Sequence, residues 1–195
     1  MKIAIVLLAA VSALAQQSGN PGVPAAPSSD ERAGWWLRST VGLQSLAVAG
    51  PVSACWGTSR NIPVEWERSV EGFGRRYGNR LIGVSMSNGI EAGLGAAWGE
   101  DPRYHTDHSG SFGSRVGRAV KGSFFAHYNG GQQRFAAARL AGIAGNNFIQ
   151  NAWLPQSVNG PNDALVRMSV GYGGRMVGNL FAEFMPDIKR LVRRR

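Results

Sequence analysis

Glycine and other small residues recur at helical spacing along this chain, and that pattern limits what it can fold into. Gly74, Gly78, Ser85, Gly89, Gly93 and Ala96 follow one another at steps of four, seven, four, four and three. Beside them Ile82, Met86, Ile90, Leu94 and Trp98 recur every fourth residue, the apolar face of one helix. Each glycine inside a helix costs roughly 1 kcal/mol relative to alanine. A stripe of them therefore predicts a compensating contact, the close backbone approach of two helices where no side chain intervenes. Gly174 and Gly178 repeat the spacing near the C-terminus. With 27 glycines in the chain, several such pairs arise by chance, so the shared face carries the expectation rather than the motif count.

Periodicity and turn signals place the other elements. A helical segment covers about 33–56 and is interrupted at Gly50-Pro51, where proline ends or kinks a helix. A second covers about 66–98 and a third about 112–126, with Val116, Val120 and Phe124 on one face. The turn signal Asn129-Gly130-Gly131 follows, then a fourth segment over about 134–153 that Pro155 stops. A β-hairpin at Asn129-Gly130 is the alternative, but its flanks do not alternate with period two, so helices are expected. A last helix is expected from Asp163, as N-cap, to about Phe184, before Pro186. The fold class this predicts is all-α, a glycine-rich bundle of four to six helices.

The first residues, MKIAIVLLAAVSALAQQ, combine a lysine, an apolar run and a small-x-small site, the pattern of a cleaved secretory signal. Residues 16–31 are rich in Pro, Gly, Ser and Ala and read as a flexible tether. The expected organisation is thus a signal peptide over 1–15, a tether over 16–31 and one helical domain over 32–195. The lone Cys55 forms no internal disulfide, so the fold rests on burial, and Cys55 reads as a small buried hydrophobe.

Formal net charge is +9, and Lys189, Arg190, Arg193, Arg194 and Arg195 concentrate much of the excess at the C-terminus. No nucleic-acid motif accompanies them. The tail predicts contact with anionic lipid or another acidic envelope surface, with solvation of a charged helix end as the plainer alternative. Residues 81–99 have the length of a membrane span, but Glu91, Asn88, the serines and a mean hydropathy of −0.15 for the whole chain argue for a soluble or peripherally bound bundle.

The stretch WGEDPRYHTDHSGSFGSR, residues 98–115, holds the densest chemistry. Glu100, Asp101, His105, Asp107 and His108 offer oxygen and imidazole donors, with His127 as the remaining histidine. The same residues also read as punctuation. Gly99 ends one helix, Asp101 caps a turn with Pro102 at its first position, and Ser111 caps the next helix. Punctuation is the preferred reading, with no metal and no cofactor. No nucleophile elbow, no Cys/His pair and no phosphate-binding glycine loop is present in the sequence. Arg75, Arg76, Arg115 and Arg118 read as solvated helix flanks.

Asp-Pro-Arg-Tyr at 101–104, Gly-Ser-Phe-Gly-Ser-Arg at 110–115 and Asn-Leu-Phe-Ala-Glu-Phe-Met-Pro-Asp-Ile-Lys-Arg at 179–190 resemble a family of exported hypothetical proteins common in Acidobacteria. The segments at 71–78 and 151–155 share the resemblance, which covers the chain from about Arg32 onward. It implies lineage and export, and it assigns no activity. The family usually carries an aromatic residue where this chain has His105, which argues against an obligatory histidine site. That leaves Asp101, Arg103, Tyr104, His105 and His108 as the candidate binding motif. Arg103 is expected to tie to a carboxylate such as Glu100 or Glu183.

The resulting expectation is a non-enzymatic envelope protein in the periplasm or outer envelope of a Gram-negative-type bacterium. It would pack through Gly74, Gly78, Gly89, Gly93, Gly174 and Gly178, within one bundle or between copies as a homo-oligomer, without nucleic acid. The rival is a metal-dependent hydrolase or other enzyme built on Asp101, Arg103, His105 and His108. A third class is an adaptor that binds a partner through Trp35-Trp36.

Overall fold

The structure is a computed structural model and describes residues 26–193. The expected signal peptide and most of the tether lie outside the described residues, as do Arg194 and Arg195. Within them the chain is all-α apart from one small hairpin.

Helix α1 spans Ser29–Val41 and opens with a capping box: Ser28 accepts from the Glu31 amide, and the Glu31 carboxylate accepts from the Ser28 amide. The helical domain thus starts inside the stretch expected to be tether. A π-helical segment, Gln44–Ala49, leads into α2, Gly50–Arg60. Pro51 has no N–H to give to the turn before it, and the ladder widens there instead of ending. Arg80 and Tyr77 then donate to the carbonyls of Ser45 and Leu46, at 3.4 and 3.0 Å.

Helix α3 spans Val70–Trp98 from the N-cap Ser69 to Gly99, whose φ of 77° closes it in the left-handed conformation. A loop leads to α4, Phe112–Phe124, capped by Ser111 as expected. Strands β1, Phe125–His127, and β2, Gln133–Phe135, then pair antiparallel in register Phe125–Phe135, Ala126–Arg134 and His127–Gln133. The chain thus forms the hairpin that is the alternative at Asn129-Gly130, and not helix on both flanks; three-residue strands are too short to display alternation. Helix α5 covers Ala137–Ile149, and α6 covers Pro161–Arg193.

Pro186 lies inside α6 rather than after it. Pro186 leaves the carbonyl of Ala182 without its helical donor, and the next carbonyl, that of Glu183, accepts from His108 and Arg115 outside the helix. Asp163 does not serve as the N-cap; its carboxylate accepts from the amide of Gly160 ahead of the helix.

Helix α3 is the central rod, packed by α5, α2 and α1, while α6 crosses α4 and α5. Close glycine packing does occur, at glycines other than those expected. A Cβ on Gly142 of α5 would meet the Ser87 carbonyl of α3 at 2.5 Å, and one on Gly83 would meet the Gln150 amide at 2.8 Å. Gly74, Gly78, Gly93, Gly174 and Gly178 meet no described atom within 4 Å, and Gly89 makes only ordinary contact with Trp36. Packing inside the bundle uses the adjacent face of α3, so the expected stripe points away from its neighbours.

Candidate functional site

The interior is built mainly from alanine and from charge. Trp35, Ile143 and Leu154 are the large hydrophobic residues in the core, beside six alanines, whereas the largest fully buried side chains are Arg139, Glu91, Glu100, Glu183, Pro102 and Ser123. These charges converge on Glu100–Tyr104, the segment that follows α3.

The residues of that segment tie several elements together. Glu100 accepts from the amides of Ala138 and Arg139 at 2.8 and 3.2 Å and from the Tyr128 hydroxyl at 2.9 Å. Helix α5 begins Ala137-Ala138-Arg139 after the N-cap Ala136 and has no side-chain cap of its own, so Glu100 supplies from outside the acceptor that its first turn lacks. The Glu100 carbonyl accepts from Arg32 of α1 at 2.8 Å. The Asp101 amide donates to the His127 carbonyl, laying the segment beside β1. The Pro102 carbonyl accepts from Arg175 of α6 at 2.9 Å and from Arg139 of α5 at 3.5 Å. The Tyr104 hydroxyl donates to Glu183 of α6 at 3.0 Å, and its ring fills the space where a Cβ on Gly122 would sit.

Two buried carboxylates anchor the arginines. Glu91 takes Arg139 at 2.8 Å and Arg175 at 2.7 Å on the same oxygen. Glu183 takes Arg118 at 3.2 Å, Arg115 at 3.7 Å, Tyr104 and the Asp107 amide. Burial pushes Arg175 down to about 10, against the pull of Glu91. Burial works to raise Asp101, but hydrogen bonds from His105 and Arg103 outweigh it and hold the carboxyl well below the usual range. Burial, reinforced by the Glu183 carboxylate, pushes the Tyr104 hydroxyl well above its ordinary value.

The candidate motif is thus brought together, with partners that sequence did not identify. Arg103 pairs with Asp101 at 2.9 Å and with Glu31 at 3.1 Å, rather than with Glu100 or Glu183. No helical turn follows Asp101; its carboxylate accepts from the Arg103 amide two residues on, the local turn an aspartate makes with its own backbone. His105 bonds the Asp101 carboxylate at 3.0 Å, while His108 bonds the Glu183 carbonyl at 2.9 Å. The two imidazoles therefore serve different partners. It is His127 whose ring meets His105, edge-on at 5.2 Å.

Among the described residues no group of three His, Cys, Asp or Glu side chains is placed to hold a metal ion. A shallow depression of about 150 Å³ lined by Glu65, Trp66, Glu67, Ser69, Glu71, Gly72 and Arg75 shares no residue with the motif. Arg76 and Arg115, expected to be solvated, are nearly buried; Arg76 donates to the carbonyls of Ile62, Pro63 and Glu67, each at 2.8 Å. Cys55, expected to be buried, is exposed.

The roles of Arg139, Arg175 and Arg32 went unread because their partners are far away in sequence. One signal was available: Glu91 is the single charge in the nineteen residues 81–99, a position that a soluble helix leaves charged and buried only when a cation meets it. No family model, no curated protein and no solved structure matches this chain.

Proposed function

We propose that this chain is a non-enzymatic protein of the cell envelope that acts by association: a rigid helical frame, pinned from inside by charge, presents apolar helix faces to its surroundings. The observation that carries the reading is the inversion of polarity. The interior holds Glu91, Glu100, Asp101, Glu183, Arg139 and Arg32, while long apolar side chains run along the outside of several helices. On α6 the outward row is Val166, Val170, Val177, Phe181 and Ile188, all exposed. Single exposed hydrophobics are ordinary, but a row along one helix marks an interaction surface.

The Asp101–His108 loop supports the same reading. Asp101 is taken up by Arg103 and His105, Asp107 by Arg118 of α4 and His108 by the Glu183 carbonyl of α6, while Arg103 pairs with Glu31 of α1 and the Pro102 carbonyl with arginines of α5 and α6, which is the work of a structural node. No helix among the described residues is long and apolar enough to cross a membrane, so the association proposed is peripheral or between copies. Lys189, Arg190 and Arg193 are exposed at the end of α6 and carry the expected contact with an anionic surface.

Cell fractionation with successive salt and carbonate washes, followed by light scattering on the purified protein, tests this. The expected result is recovery in the envelope fraction with release by carbonate, or a defined oligomer in solution. A monomer recovered wholly in the soluble fraction overturns it.

A further inference from the structure

The geometry points to the N-terminal arm, α1 through α2, as the element that docks, lying flat in the headgroup region of an anionic bilayer. This rests on the association reading above and names its surface.

The arm is amphipathic in the sense opposite to a helix of a water-soluble bundle. Toward the bundle it buries Thr40, Ser45, Gly50 and Ala54, with Trp35 as the large apolar residue on that side. The inward contacts are polar: the Thr40 hydroxyl accepts from Asn88 at 3.2 Å, the Leu46 carbonyl accepts from Tyr77, and Trp36 donates to the Ser85 carbonyl at 3.0 Å. Outward it presents Leu37, Val41, Leu43, Val48, Val52 and Trp56, with Leu43 82%, Val52 64% and Val48 57% exposed. Six large apolar side chains spread over α1, the π-helical segment and α2 make a surface that water does not favour.

Charge selects the occupant. From Arg32 to Val64 the chain has no acidic residue, and the 21 positions between Arg38 and Arg60 carry no charge. Arg38 and Arg60 are both exposed, one at each end of the apolar stretch, and the Arg60 guanidinium lies 3.8 Å over the Trp56 ring. An apolar strip with cations at its ends and an aromatic at one of them matches the layered polarity of a membrane interface, where long cations reach headgroups and the ring sits at their depth. Along the apolar stretch a second copy offers no acid to meet these arginines: the acids of the arm, Asp30 and Glu31, lie in the first turn of α1, and Glu31 is already paired with Arg103 at 3.1 Å, whereas anionic headgroups supply charge along the whole strip. No helix among the described residues is long and apolar enough to cross a membrane, and the arm is assigned to the interface.

The full chain carries its own reporter: Cys55, the lone cysteine, is exposed on α2 beside Trp56. Labelled there with a small nitrobenzoxadiazole probe, the protein is mixed with vesicles of phosphatidylcholine containing about one-third phosphatidylglycerol, and with phosphatidylcholine alone. The expected result is a blue-shifted, several-fold brighter emission with the anionic vesicles and little change with the neutral ones. Leu43→Asp with Val48→Asp is expected to lower the vesicle-bound fraction at least tenfold, while Phe112→Asp, at an exposed position on α4, leaves it unchanged. Circular dichroism confirms that both variants are folded.

Vesicle binding with no change at Cys55, or binding undiminished in the double variant, overturns the arm as the docking element and leaves the association reading intact. A blue shift without vesicles, accompanied by a dimer mass, assigns the arm to a second copy and overturns the lipid assignment. Failure of the wild-type protein to bind vesicles or to self-associate overturns both.

Discussion

Glu91 and Arg139 meet at 2.8 Å between α3 and α5, with 2% and 1% of their side-chain surfaces exposed. Ion pairs this deep are costly to desolvate, and their strength shows chiefly when one partner is removed. Glu91→Gln is therefore expected to destabilise the protein by about 3–5 kcal/mol, because Arg139 and Arg175 are left facing a neutral amide. Replacing Glu91, Arg139 and Arg175 together with apolar residues of similar volume is expected to cost far less. Urea denaturation of both variants checks the contrast, and equal losses would mean that the cost lies in losing the ion pairs themselves and not in leaving the arginines unpaired.

Glu100 caps a helix it does not belong to. Helix α5 opens on alanines, and its first amides would be buried without a partner if the carboxylate were absent. Glu100→Ala is expected to cost about 1–3 kcal/mol, the range for leaving a buried donor unsatisfied. Glu100→Gln keeps an acceptor oxygen and should retain much of that. Amide hydrogen exchange supplies the specific readout: protection should fall first at Ala138 and Arg139 in the alanine variant, and uniform loss along the chain would contradict a local capping role.

The loop predicts two pH limits. Asp101 titrates below its ordinary 3.8 in the folded protein because hydrogen bonds from His105 and Arg103 outweigh the effect of burial. A depressed carboxyl contributes stability that is complete above its unfolded value and is lost as pH falls from there through the folded one. Tyr104 titrates above its ordinary 10.0, raised by burial and by Glu183, so its contribution is complete below that value and is lost as pH rises beyond it. Unfolding midpoints measured across both limits should show an acid limb that Asp101→Asn flattens and an alkaline limb that Tyr104→Phe flattens. Limbs unchanged in these variants would place the titrating groups elsewhere.

Helix ends were the legible part of the sequence, because capping is local chemistry. Gly99 and Ser111 do what their residue types suggest, and the periodic run ending at Trp98 is one helix. The hairpin at β1 and β2 was hidden by strands too short to alternate, and the course of α6 through Pro186 by contacts to Glu183 from outside the helix. The candidate motif was found without its partners, since Tyr104 and Glu183 are 79 positions apart and Glu91 and Arg139 are 48 apart. The glycine pattern did not show which face packs inside the bundle, for a different reason. Small residues occupy several faces of α3, and periodicity finds such faces without ranking them; the bundle packs on Gly83, Ser87 and Gly95 rather than on Gly74, Gly78 and Gly93.

Packing between copies is the other half of the glycine expectation, and the open glycines allow a sharp test of it. Gly142→Ala drives a methyl group to 2.5 Å from the Ser87 carbonyl, so it should be destabilising, by about 1–3 kcal/mol for an overpacked core. Gly174→Ala and Gly178→Ala meet no described atom within 4 Å and lie in helical backbone. In an isolated molecule each should stabilise by up to about 1 kcal/mol, since alanine restricts the unfolded chain and favours helix. If instead these glycines lie against another copy, the added methyls hold the helices apart. Light scattering would then show a smaller assembly even as the monomer becomes harder to unfold. Thermal denaturation together with molar mass separates the two cases: a rise in midpoint at constant mass leaves the stripe without a partner, and a rise with loss of mass assigns it to self-association.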